Sequence, residues 1–153
     1  MKNSDALKQI GSEATEGLSG VATTFPKTSA AKQLSALFKK EAKGKPETGF
    51  EGLSFDAVMI AFLAALDAGT NNPTVFKNDI RKVTGPPGVK LNFTQLAKAI
   101  KLIVAGKKVN FEGVSGPLDL DKRGDPASET FEVWKVKNAV PVTQATFKIV
   151  AGK

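Results

Sequence analysis

Apolar and polar residues recur along this chain with two different periods, and each period predicts its own elements. Spacing near 3.6 residues marks helices. Residues 30–43 place Ala30, Ala31, Leu34, Leu37 and Phe38 on one stripe, with Ser29 as N-cap and Gly44 and Pro46 as stop signals. Residues 51–68 predict a second helix that ends at Gly69. Its central part, residues 57–66 (AVMIAFLAAL), is apolar on every face, so it requires cover from further layers of a fold or from a partner. Asn72 caps a third helix with Pro73 at its first position and a stripe of Val75, Phe76, Ile80 and Val83. Gly85-Pro86-Pro87-Gly88 breaks the chain. Thr94 opens a fourth helix carrying Leu96, Ala97, Ile100, Ile103 and Val104, and Gly106 stops it.

A period of two marks strands. Residues 17–23 predict one, weakened by Gly17 and Gly20 and closed off by Pro26. A Gly-Val-Ser-Gly turn at 113–116 leads into a predicted strand at 117–120, followed by a tight acidic turn through Gly124. Residues 130–136 predict a strand with Phe131, Val133 and Lys135 on one side and Glu132, Trp134 and Val136 on the other. Residues 145–150 predict the last strand. The order is strand, four helices, strands, without internal repeats. The fold class is α/β, but the alternation is too irregular for a self-contained doubly wound sheet. Few strands remain to cover the second helix.

Composition narrows the chemistry. The 153 residues suffice for one core, and the 41% hydrophobic and 24% charged fractions are those of a globular protein. Cysteine, histidine and tyrosine are absent. That removes disulfides, thiol nucleophiles, the commonest general base and the commonest metal ligand, and no enzyme activity is expected. The net charge is +7, which attracts nucleic acid or an anionic membrane in some proteins. Here the lysines are scattered and the only arginines are Arg81 and Arg123. The pattern reads as solvated helix faces, and no nucleic-acid partner is expected. The longest apolar run is too short for the ~20 residues of a membrane-spanning helix. Met1-Lys2-Asn3-Ser4-Asp5 lacks the basic start and apolar core of a secretory signal. That absence carries no weight if the chain is a fragment or a mature form.

Other motifs read as structural. Asp119, Asp121 and Asp125 with Gly124 suggest a calcium loop, but Arg123 takes a ligand slot and Thr130 stands in place of the closing glutamate, so a plain turn is expected. Trp134 suits a cross-strand core better than ligand stacking. Glu41 with Asp67, or Glu51 with Asp56, are carboxylate pairs whose separation nothing fixes. The prolines of Gly85-Pro86-Pro87-Gly88 remove amide donors that a phosphate loop needs. No cofactor or metal is expected.

Residues 50–67, the helix–Gly85-Pro86-Pro87-Gly88–helix segment and residues 113–125 (GVSGPLDLDKRGD) stand in an order that resembles a known family. Residues 16–20 (EGLSG) add to it. The chain resembles the carboxyl-terminal part of type I periplasmic solute-binding proteins, closest to the branched-chain amino acid binding proteins of ABC transporters. The resemblance implies a partial fold of that type: the helix-rich part of one lobe plus crossover strands of the other. Residues 1–25 would end one lobe and cross over, 26–125 would form the helical part of the other, and 126–153 would return. It implies a small-molecule solute such as an amino acid, held by lobe closure without bond chemistry, a permease partner and a periplasmic location. One ligand-lining position is implied, Phe50, as an apolar wall before the long helix. The residues alone also allow Phe50 to be a hydrophobic staple on that helix. They equally leave open a non-binding interaction protein that hides its apolar helix against a second copy or a missing lobe.

Overall fold

The computed structural model describes residues 4–43 and 49–150, so the stop signals Gly44 and Pro46 lie outside the described residues. Its elements in chain order are α1 (Ser4–Ile10), α2 (Ser12–Thr15), β1 (Ser19–Thr23), α3 (Ser29–Glu41), α4 (Glu51–Asp67), α5 (Pro73–Phe76), α6 (Ile80–Thr84), β2 (Val89–Leu91), a 3₁₀ turn (Phe93–Gln95), α7 (Leu96–Val104), β3 (Val109–Phe111), β4 (Ser128–Lys137) and β5 (Val140–Val150). The chain divides into two compact units. One comprises Met1–Thr24 with Glu129–Ile149, the other Phe25–Ser128 with Val150–Lys153.

The first unit is a three-stranded sheet in the order β1-β4-β5. β1 runs antiparallel to β4, with Ser19 opposite Lys135 and Thr23 opposite Phe131. β4 and β5 are joined through Asn138 and Ala139, both at positive φ (52° and 58°), the backbone that a two-residue hairpin turn requires. The Glu16 carboxylate accepts the Asn138 N–H at 2.8 Å and ties the turn to the start of the unit. The alternation in β4 falls as its pattern predicts, and the buried side is Glu132, Trp134 and Val136. Leu7 of α1 covers Trp134 and Val136. Trp134 is therefore a core residue. Gly20 lies opposite it, and a Cβ there would stand 2.7 Å from the indole ring. The other side is open. Val21 is 59% exposed, and Phe131 stacks on a half-exposed Phe147 with centroids 5.7 Å apart. The short helices α1 and α2 went unpredicted, because seven and four residues hold too little periodicity to read.

The second unit has a parallel β2–α7–β3 core. Val89 pairs with Val109 and Leu91 with Phe111. Sequence reading missed both strands, because three residues are too short for alternation to stand out, and it therefore understated the β-α-β character of this region. α4, α6 and α7 close over the strands around Leu63, Val83, Leu91, Ala99, Val109 and Phe111. Three boundaries shift for identifiable reasons. Thr28, not Ser29, caps α3, its hydroxyl accepting the Ala31 N–H at 3.1 Å. The predicted third helix is two, α5 and α6, interrupted where the Asn78 side chain donates to the Val75 carbonyl at 3.1 Å and Asp79 pairs with Lys82. The fourth begins as a 3₁₀ turn because the Asn92 carboxamide oxygen accepts from both the N–H and the hydroxyl of Thr94.

The strand predicted at 117–120 does not form. Asp119 sits at φ 35°, outside strand geometry. Asn110 donates to its carboxylate at 3.1 Å, while Leu118 drops into the core. The apolar helix α4 buries Gly52, Asp56, Met59, Leu63 and Ala64 along one side. Its other flank is open, with Val58 68% and Phe62 46% exposed.

Gly20→Ala is expected to destabilise the protein by about 1–3 kcal/mol, because the Cβ must displace the Trp134 ring. Urea denaturation measures it, and wild-type stability would show that Trp134 can move aside at little cost.

Candidate functional site

The region where the resemblance places a ligand wall is the start of α4, within the second unit. Gly49, at φ 93°, turns the chain into the helix, and its N–H donates to the Glu51 carboxylate at 2.9 Å. Gly52 is the close-approach point. A Cβ there would lie 3.0 Å from the Phe25 ring and 3.2 Å from Val114, so the missing side chain admits both. Phe55 meets Phe93 edge-to-face at 5.2 Å, and Val114 packs with Ala30 and Leu34 of α3.

Asp56 organises this end. Its side chain is 2% exposed, yet it touches a loop 58 residues away. Oδ1 accepts the Val114 N–H at 2.9 Å, and Oδ2 accepts the Ser115 N–H at 2.9 Å and the Ser115 hydroxyl at 2.6 Å. The Gly-Val-Ser-Gly turn closes on itself through reciprocal bonds between Gly113 and Gly116. A Cβ on Gly113 would fall 2.4 Å from Asp56 Oδ2, so only glycine lets the carboxylate in. Asp56 is thus a structural acceptor and Glu51 is engaged by Gly49. The two do not act as a carboxylate pair. The role was detectable in principle: a lone acid amid the apolar face of α4 needs a buried donor set.

Phe50 stands immediately before α4 and is 65% exposed. It does not pack down as a staple would. The concavity reaching the helix start, lined by Phe25, Leu34, Phe38, Glu51, Gly52 and Val114, has a volume of about 40 Å³. That is room for little more than a water or a methyl group, not an amino acid. A wider groove of about 350 Å³ opens at the far end of α4, between Asp67, Lys82, Pro86, Pro87, Lys107 and Lys108. The hydrogen bond and charge of Asp79 hold the Lys82 ammonium pKa above its ordinary value.

The acidic turn is self-satisfied. Asp121 Oδ1 accepts from the N–H groups of Asp125 (3.0 Å) and Arg123 (2.7 Å), and Arg123 reaches both carboxylates. These backbone bonds, Asp125 first, lower the Asp121 pKa below the usual carboxylate value. The turn is therefore tightest above that range and loosens as pH falls through the depressed pKa. Among the described residues no cluster of three or more acidic groups is placed to hold a metal ion. No helix among them is long and apolar enough to cross a membrane.

Residues 1–139 match the family model described as the receptor family ligand binding region. The chain belongs to that family, the type I periplasmic binding proteins. Among solved structures, it resembles the leucine binding protein LivK of Thermotoga maritima with a TM-score of 0.63 at 24% identity, over 95% of this chain and 34% of that one. That likeness establishes the α/β fold. Among curated proteins, the chemotactic signal transduction system substrate-binding protein BasB of Halobacterium salinarum is 29% identical over 75 residues, 49% of this chain and 18% of BasB. The chain spans about a third of the solved relative's length and under a fifth of the curated one's.

Asp56→Ala is expected to cost about 3 kcal/mol, since three donors lose a buried acceptor, and Asp56→Asn about half that. Denaturant unfolding of both variants checks this. Losses below about 0.5 kcal/mol, the range of ordinary surface changes, would mean the turn holds without its clasp.

Proposed function

We propose that this chain forms part of the substrate-binding component of an ABC uptake transporter for branched-chain or related amino acids. The observation that carries the reading is the family match over residues 1–139, joined to the division of the chain at Thr24/Phe25, Ser128/Glu129 and Ile149/Val150. Two units between which the chain passes more than once suit a protein that works by closing lobes on a solute. We read the first unit as belonging to one lobe and the second to the other. No bond is made or broken in such a mechanism, in keeping with a sequence that has neither histidine nor cysteine. The solute class is supported by the leucine named for LivK. The partner would be the transporter permease, met on the outer side of the cytoplasmic membrane, in the periplasm.

Phe50 is assigned a place in this mechanism as an apolar wall for the solute's aliphatic side chain. Its 65% exposure leaves the ring available, and the small concavity beside the helix start cannot itself take a whole amino acid. The remaining walls would then come from groups beyond that concavity.

Titration calorimetry with leucine, isoleucine and valine is expected to show saturable binding, with a sugar as a silent control. Silence toward every amino acid would overturn the solute assignment. Phe50→Ala is expected to weaken leucine binding about tenfold, as loss of one partly buried aromatic face implies. Its melting temperature should stay at the wild-type value, because the ring packs little on the protein. Unchanged affinity would remove Phe50 from the site.

A further inference from the structure

Asn92-Phe93-Thr94, in the second unit between β2 and α7, has no part in solute binding. It carries the Asn-x-Ser/Thr pattern, with x other than proline, that serves as acceptor for N-linked glycans. Of all the asparagines in the chain, only Asn92 meets that pattern. Leu91 is buried, and Phe93 turns inward against Phe55 and the core, which anchors the segment on both sides of Asn92. Asn92 itself is half-buried and Thr94 is exposed. The Asn92 carboxamide oxygen accepts the Thr94 N–H at 3.0 Å and the Thr94 hydroxyl at 2.7 Å. An amide N–H can only donate, so the orientation of the carboxamide is fixed and both lone pairs of Oδ1 are used. Nδ2 is left over. It bonds to no described residue, yet it is not among the buried polar atoms without a partner, so it meets solvent.

Asn72-Pro73-Thr74 supplies the comparison within the same unit. The Asn72 Oδ1 accepts the Thr74 N–H and hydroxyl at the same 3.0 and 2.7 Å, and all three residues are exposed. The middle residue separates the two turns. Pro73 locks its φ and has no N–H, which bars that triplet from serving as an acceptor. Phe93 imposes no such bar.

We propose that Asn92 is the acceptor for an N-linked glycan attached when the chain is exported. The co-reactant is an oligosaccharide carried on a polyisoprenyl diphosphate. Nδ2 attacks the anomeric carbon of its first sugar, and a C–N bond forms as the C–O bond to the diphosphate breaks. The diphosphate leaves with the bonding electrons, and one Nδ2 proton passes to a base of the transferring enzyme. Neither oxidant nor reductant is required. The glycan projects from the turn into solvent and leaves the packing of Leu91 and Phe93 intact. The inference rests on the extracytoplasmic location proposed above, but not on which solute the protein takes.

The test is to express the full chain behind an added secretory leader in a eukaryotic host and to weigh the secreted protein by mass spectrometry. The leader puts the chain on the export route whatever its natural address, so a negative result would leave the location reading untouched. The wild type should carry one glycan. A peptide N-glycosidase should remove it and turn the Asn92 carboxamide into a carboxylate. Asn92→Gln and Thr94→Ala should carry none, while Thr94→Ser, which keeps the hydroxyl, should still be modified. Pro73→Ala should add a second glycan at Asn72. Circular dichroism spectra of the wild type and Asn92→Gln should coincide, so that loss of the glycan is not loss of the fold. A wild type without glycan would overturn the proposal, most directly if Pro73→Ala gained one, since the enzyme would then have reached the chain and passed Asn92 by. A glycan that persisted in Asn92→Gln would overturn it equally.

Discussion

One buried carboxylate ties the second unit together by hydrogen bonds to a turn 58 and 59 residues away. Asp56 projects from an otherwise apolar helix face and accepts three hydrogen bonds from Val114 and Ser115. A buried acid is tolerated only when its acceptor capacity is met, and the turn at 113–116 meets it. The constraint runs both ways. Gly113 must lack a side chain for the carboxylate to enter, and Gly52 must lack one for Val114 and Phe25 to reach α4. Two glycines and one aspartate thereby position the start of α4, the place from which Phe50 projects.

The same economy appears in the first unit. Trp134 lies over the bare Gly20, Leu7 closes the far side, and Glu16 holds the hairpin turn. Both units nonetheless keep apolar surface in water: Val58 and Phe62 on α4, Val21 on β1, and Phe147 and Ile149 on β5.

Much of the fold could be read from residue spacing, with uneven resolution. The alternation in β4 was decisive because it repeats over residues 130–136 and the buried side carries the large Trp134. α4 was equally plain, being long and stopped by Gly69. The parallel strands Val89–Leu91 and Val109–Phe111 escaped, although each reads apolar, polar, apolar, because a three-residue pattern cannot be told from chance. The predicted strand at 117–120 failed for the opposite reason. Its Leu-Asp-Leu alternation is real, but Leu118 is drawn into the core and Asn110 binds Asp119, bending the chain where a ladder would need it straight.

By itself the sequence determined the local chemistry: the absence of histidine and cysteine, the positions of the main helices, the sides of β4, and the order of motifs that marks the family. These depend on neighbours a few residues apart, so periodicity and side-chain type suffice to state them. Only the tertiary structure decided that Asp56 is a clasp and not half of a carboxylate pair, that Phe50 stands exposed, and that β2 and β3 pair in parallel. Each rests on groups brought together from distant parts of the chain. Such encounters are settled by which buried polar groups can find partners and which surfaces can close without clash, and neither is written in local spacing.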